Sequence, residues 1–180
     1  HCGSDEWRTM MREVILPWAL GEVDLGDDVL EVGPGYGATT DVLSRTAPRL
    51  TSVEIDDELA ALLTDRFAAV PTVEIVRADA TALDYPDDRF TGAACFTMLH
   101  HVPTAERQDR LFAEVARVLR PGAALVASDS LASDALAAHH EDDTYNPVDP
   151  ATLPARLEAA GFRTVDVQTN EFGWAVLART

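Results

Sequence analysis

Val29-Leu30-Glu31-Val32-Gly33-Pro34-Gly35-Tyr36-Gly37 decides the fold of this chain. Four residues suited to a buried strand run into glycines at three alternate positions, and a polar segment that can form a helix follows. Glycine permits the sharp turn and lets a ligand approach the main chain. The free N–H groups of the following helix suit an anionic ligand portion. The spacing is G-x-G-x-G, whereas the dinucleotide fingerprint is G-x-G-x-x-G. Glu31 stands at the end of an apolar strand, where an unpaired carboxylate is costly. It is expected to cap the loop or to face a cationic ligand group.

Outward from this loop, short apolar runs alternate with amphipathic stretches. Strands are predicted at Asp28–Val32, Leu50–Ile55, Val73–Val76, Gly92–Phe96 and Ala123–Ala127, with Thr164–Thr169 and Glu171–Ala178 at the end. Ser4 followed by Asp5 and Glu6 reads as a helix start. Helical spacing also marks Asp57–Ala69, Thr104–Leu119 and Ala151–Ala160, the last stopped by Gly161. The alternation predicts an α/β fold with parallel βαβ units and helices on both faces of the sheet. Too few residues separate the last two strands for a crossover helix, so they are predicted to pair as an antiparallel hairpin. Residues 130–150 are predicted to be irregular, and a loop of that length is more often functional than not. Two further acids end strands: Glu54, 19 residues after Gly35, and Asp79 in Arg77-Ala78-Asp79-Ala80. An acid ending the second strand of an open α/β sheet accepts hydrogen bonds from ribose hydroxyls.

Composition narrows the chemistry. The 180 residues carry 14 basic and 31 acidic side chains, a formal charge of −17, and every basic one is arginine. Without lysine there is no Schiff base and no phosphate-loop lysine. The acid excess is expected to exclude nucleic acid and anionic membranes as partners. No run of about 18 apolar residues exists to span a bilayer. Two widely spaced cysteines, Cys2 and Cys95, form no disulfide framework and fit a reducing cytoplasm. The chain opens on His1 and not on methionine, so its natural start is expected to lie elsewhere. The length suits one domain: an N-terminal helical lid (1–27), a cofactor-binding core (28–129), a substrate loop (130–150), and a terminal helix with hairpin (151–180).

Five motifs together carry a resemblance: Val29 to Gly37, Val53-Glu54-Ile55-Asp56, Asp79-Ala80, Met98-Leu99-His100-His101-Val102, and Glu114 to Gly122. On these the chain resembles the class I S-adenosylmethionine-dependent methyltransferases, and most closely their small-molecule branch, type 11, which includes quinone-biosynthesis enzymes. The resemblance implies a Rossmann-like, seven-stranded, mainly parallel sheet that closes on an antiparallel hairpin. It implies S-adenosylmethionine as cofactor. Gly33, Gly35, Tyr36 and Gly37 would wrap its methionine part beside Glu31, and Glu54 and Ile55 would hold the ribose. Asp79 and Ala80 would meet the adenine. Phe96, at the end of the fourth strand, would face the sulfonium.

The expected activity is methyl transfer to an O, N or C atom of a small, partly apolar metabolite, achieved mainly by alignment. A general base is optional. His100 is the first candidate for that base. Its neighbour His101 is expected to point inward as a structural residue. Asp129, His139 and His140 compete for the role. Trp7 and Met11, with His139 and His140, are expected to roof the acceptor. No metal site is expected, because His139-His140-Glu141-Asp142-Asp143 lacks ligand spacing. The oligomeric state is left as monomer or homodimer. Two alternatives are a nicotinamide-dependent oxidoreductase, which the glycine spacing and the missing Tyr-x-x-x-Lys pair disfavour, and a cofactor-binding module without catalysis.

Overall fold

In the computed structural model, residues 3–139, 144–171 and 173–180 are described. Seven strands form one sheet: β1 (Asp28–Val32), β2 (Arg49–Glu54), β3 (Val73–Arg77), β4 (Phe90–Phe96), β5 (Leu119–Ser130), β6 (Thr164–Thr169) and β7 (Gly173–Arg179). Their spatial order is β3-β2-β1-β4-β5-β7-β6. β1 to β5 run parallel, and β7 pairs antiparallel with both β5 and β6. This is the expected α/β sheet with its terminal hairpin. Every residue of β1 is buried, as a central strand covered on both faces requires.

Alternation along the strands feeds two apolar layers. Leu30, Ala93, Cys95 and Leu125 face α5 (Ala105–Val118) and α7 (Leu153–Ala160), which contribute Leu111, Val115, Leu153 and Leu157. Val29, Ala94, Phe96 and Val126 face the other way, against α3 (Thr40–Thr46) and the N-terminal helices α1 (Asp5–Met10) and α2 (Leu16–Leu20). α4 (Asp57–Phe67) covers β2 and β3.

α1 and α2 are joined by a π-helical turn, Met11–Ile15, in which the Leu16 N–H donates to the Met11 carbonyl. Pro17 supplies the cause: it has no N–H, and its ring crowds the carbonyl four residues earlier, so the turn widens. Met11, Leu16 and Ala19 are buried in the second layer. This segment therefore belongs to the packed core and contributes no residue to the cavity described below.

Most element ends shift by a residue or two, and larger departures lie around β5 and β7. β5 begins at Leu119, so Pro121 and Gly122 lie within a strand and do not merely end a helix. The loop after β5 holds a short helix, α6 (Asp134–His139). β7 begins at Gly173 and not at Glu171, because Asn170 bonds Gly173 through both its main chain and its side chain and closes the hairpin turn. Among the described residues no helix is long and apolar enough to cross a membrane.

Candidate functional site

Strands β1 to β5 are parallel, so their carboxyl ends share one edge of the sheet, where ligands bind in folds of this class. A cavity of about 340 Å³ opens at the ends of β1, β2 and β3, walled by the start of α5. Gly33, Glu54, Ile55, Asp79 and Ala80, all expected as ligand contacts, line it.

Gly33 has φ 66°, and a β-carbon there would stand 2.8 Å from Met98 Cγ. Gly35 has φ 54° with nothing within 4 Å of a β-carbon, so that position needs glycine for its backbone and not for space. The Gly35 N–H donates to Glu54 Oε2 at 3.0 Å, and the Asp56 N–H donates to Glu54 Oε1 at 3.0 Å. Glu54 therefore ties the glycine loop to the start of α4, where Asp56 caps the helix by accepting from Glu58 and Leu59. Each Glu54 oxygen keeps acceptor capacity for hydroxyl donors in the cavity. Glu54→Ala is expected to lower S-adenosylhomocysteine affinity by about 10- to 100-fold, the loss typical of a hydrogen-bonded charge. Titration calorimetry reads this directly, and an unchanged affinity removes Glu54 from the site.

Glu31 lies behind the loop, 2% exposed and not on the cavity wall. Its Oε2 accepts from the Ser52 hydroxyl at 2.6 Å and the Thr40 hydroxyl at 2.8 Å. Its Oε1 is buried and accepts no hydrogen bond from the described residues. Burial pushes the Glu31 carboxyl up to about 7; Ser52 and Thr40 oppose the shift, while Asp41 and Glu54 add to it.

Asp79 accepts on Oδ1 from the Thr81 N–H at 2.9 Å and the Thr81 hydroxyl at 2.7 Å, and on Oδ2 from Arg107 at 2.9 Å. Partial burial alone would raise its carboxyl, but the Thr81 bonds and the Arg107 charge outweigh that and hold it below the usual carboxylate range.

The two adjacent histidines exchange their expected places. Leu99–His101 form one 3-10 turn after β4, which sends Leu99 and His100 inward and His101 outward. His101 is exposed and lines the cavity. His100 is buried, with Nδ1 2.7 Å from Asp129 Oδ1, and its N–H donates to Asp129 Oδ2 at 3.1 Å. Asp129, at the end of β5, accepts also from the Ser130 N–H at 2.8 Å. A carboxylate can only accept, so His100 Nδ1 carries a proton. The His100 ring lies 4.1 Å, centroid to centroid, from that of His101. The turn is braced from two sides. Asn146 donates its N–H to the His100 carbonyl and its side-chain amide to the Val102 carbonyl; the buried Gln108 amide donates to the Leu99 and Asn146 carbonyls.

Other expected contacts lie elsewhere. Phe96 is buried in the layer facing the N-terminal helices, because it shares the parity of Ala94 on β4; it does not line the cavity. Gly37 and the exposed Tyr36 belong to the loop but not to the cavity wall. Met11 is a core residue, 1% exposed, and Trp7 packs half-buried on the same layer. His139 ends α6; its side chain and His140 lie outside the described residues. Met98, in the segment Phe96 to His101 expected to face the sulfonium, lines the cavity, and Val102, Pro103 and Arg107 line it without having been expected there. Val102 and Pro103 follow from the segment after β4. Arg107 is brought in by the Thr104 cap, which accepts from the Arg107 N–H and starts α5 at the cavity rim.

Residues 30–127 match the family described as methyltransferase domain. A probable ribosomal RNA small subunit methyltransferase A of Methanosarcina mazei is 41% identical over 69 residues, which is 38% of this chain and 26% of that protein. The chain spans about a quarter of the length of the curated relatives it matches. A SAM-dependent methyltransferase of Aquifex aeolicus superposes with a TM-score of 0.71 at 17% identity, covering 97% of each chain. The [4+2]-cyclase SpnF superposes with a TM-score of 0.74 at 22% identity, covering 92% of this chain and 79% of that one. At such identities the likeness is one of fold alone. The curated relatives overturn one expectation: they are named ribosomal RNA methyltransferases, so the acid excess does not exclude nucleic acid. Phosphates are met by a few locally placed cations, and a charge summed over the whole chain says little about those.

Proposed function

The chain belongs to the methyltransferase domain family, and from that membership we propose that it transfers a methyl group from S-adenosylmethionine to a small, partly apolar acceptor carrying an ionisable X–H group. The observation that carries this reading is the single cavity uniting Gly33, Glu54, Asp79 and Ala80 at the carboxyl edge of the sheet. The residues fit the cofactor: acids for hydroxyl and amino donors, and apolar walls for a base. When bound, the cofactor supplies a methyl already activated by a positive sulfur.

The chain's own residues then have distinct tasks. Glu54 holds the ribose hydroxyls while fixing the glycine loop. Asp79 and the Ala80 main chain receive the adenine edge. Met98 and Val102 supply apolar wall and exclude water. We assign to His100, its ring fixed by Asp129, the removal of the acceptor's proton. Alignment of the acceptor contributes most of the acceleration, roughly 7–11 kcal/mol where the geometry is near attack.

A second acceptor, a nucleotide of ribosomal RNA, is favoured by the printed names of the curated relatives. Incubation with methyl-tritiated S-adenosylmethionine and either a panel of phenols, quinols and amines or small-subunit ribosomal RNA separates the two. Label in a small molecule is the expected result; label in RNA alone overturns the small-acceptor reading, and label in neither overturns both.

A further inference from the structure

We propose that Arg107 is a positioning residue that makes the cavity select a 6-aminopurine over a 6-oxopurine, by holding Asp79 so that one acceptor direction points at the base. The inference rests on the cofactor reading above and adds to it the residue that sets base selectivity.

A carboxylate oxygen offers two acceptor directions. On Asp79 Oδ1 both are filled, by the N–H and the hydroxyl of Thr81. On Oδ2 one is filled, by Arg107 Nη2 at 2.9 Å. Among the described residues this leaves Asp79 one acceptor direction, and Asp79, Ala80 and Arg107 all line the cavity. An exocyclic amine can donate into that direction. The carbonyl of a 6-oxopurine would place its lone pairs against the carboxylate, a mismatch that rejects it.

The clamp depends on Arg107, because both partners stand partly in solvent, with side-chain exposures of 45% and 35%. Without the arginine, Asp79 could turn about its Thr81 bonds and lose its fixed aim. The backbone holds Arg107 in place: its N–H is bonded to the Thr104 cap, so its position at the start of α5 is set independently of Asp79. Lysine could also donate one bond to Oδ2, since Arg107 gives Asp79 only one.

Titration calorimetry with S-adenosylhomocysteine and its deaminated analogue, S-inosylhomocysteine, tests this on the wild type, Arg107→Met and Arg107→Lys. Wild type is expected to prefer the adenine ligand by about 10- to 100-fold, the cost of an unmatched charged acceptor. Arg107→Met is expected to bring the two affinities within about threefold, and Arg107→Lys to restore most of the preference. A wild-type ratio retained in Arg107→Met, or lost equally in both variants, overturns the proposal. So does a wild type that binds both ligands equally, which leaves the cofactor reading standing. A wild type that binds neither overturns the cofactor reading and this inference with it. The exposed pair contributes little to folding, so thermal unfolding of both variants is expected to stay near wild type.

Discussion

His100→Gln is expected to lower turnover by about 10²–10⁴-fold while leaving S-adenosylhomocysteine affinity unchanged, the range that a positioned general base supplies. The buried imidazole has Nδ1 2.7 Å from Asp129 Oδ1, and the His100 backbone N–H donates to Oδ2 of the same carboxylate. Two bonds from one residue to one carboxylate fix both the ring and the turn that carries it. Asp129→Asn is expected to give a loss of similar order, because an amide can offer a donor where His100 needs an acceptor. Steady-state kinetics on whichever acceptor takes label would show the loss in kcat and not in cofactor KM. Unchanged turnover in His100→Gln removes it as the base and leaves alignment alone to carry the reaction.

Glu31→Gln is expected to stabilise the ligand-free chain by about 3 kcal/mol at pH 8 and to change little at pH 4. The sign follows from a folded-state value of about 7 against 4.5 for the exposed group. Below 4.5 the carboxyl is protonated in both states and contributes no difference. Between 4.5 and about 7 the folded chain binds the extra proton, so stability falls as pH rises. Above about 7 the full cost of a buried carboxylate remains, and glutamine removes it. Chemical denaturation at pH 4, 6 and 8 measures this effect. A stability difference independent of pH would show that Glu31 is ionised throughout.

The sheet was legible because its signals are local. Val29 to Gly37 declares strand and turn within nine residues, and the short gap before β7 forces a hairpin. The acids at strand ends were legible for the same reason, since a strand places its last residue at a known edge. Side-chain direction was not. His100 and His101 differ by one step of a 3-10 turn, and nothing local says which faces Asp129, 29 residues away. Phe96 was misplaced because the parity of β4 depends on which layer each face meets, a tertiary fact. Arg107 reaches Asp79 across 28 residues, a pairing with no sequence spacing of its own. The exclusion of nucleic acid failed on different ground: a charge of −17 is an average, and recognition is local.

One titration decides what the cavity binds: S-adenosylhomocysteine and NAD against the same preparation of the chain, with Glu54→Ala beside it. The expected result is saturable, one-to-one binding of S-adenosylhomocysteine, no binding of NAD, and a loss of about 10- to 100-fold in the variant. Binding of NAD with none of S-adenosylhomocysteine would contradict the assignment of the cavity between Gly33, Glu54 and Asp79.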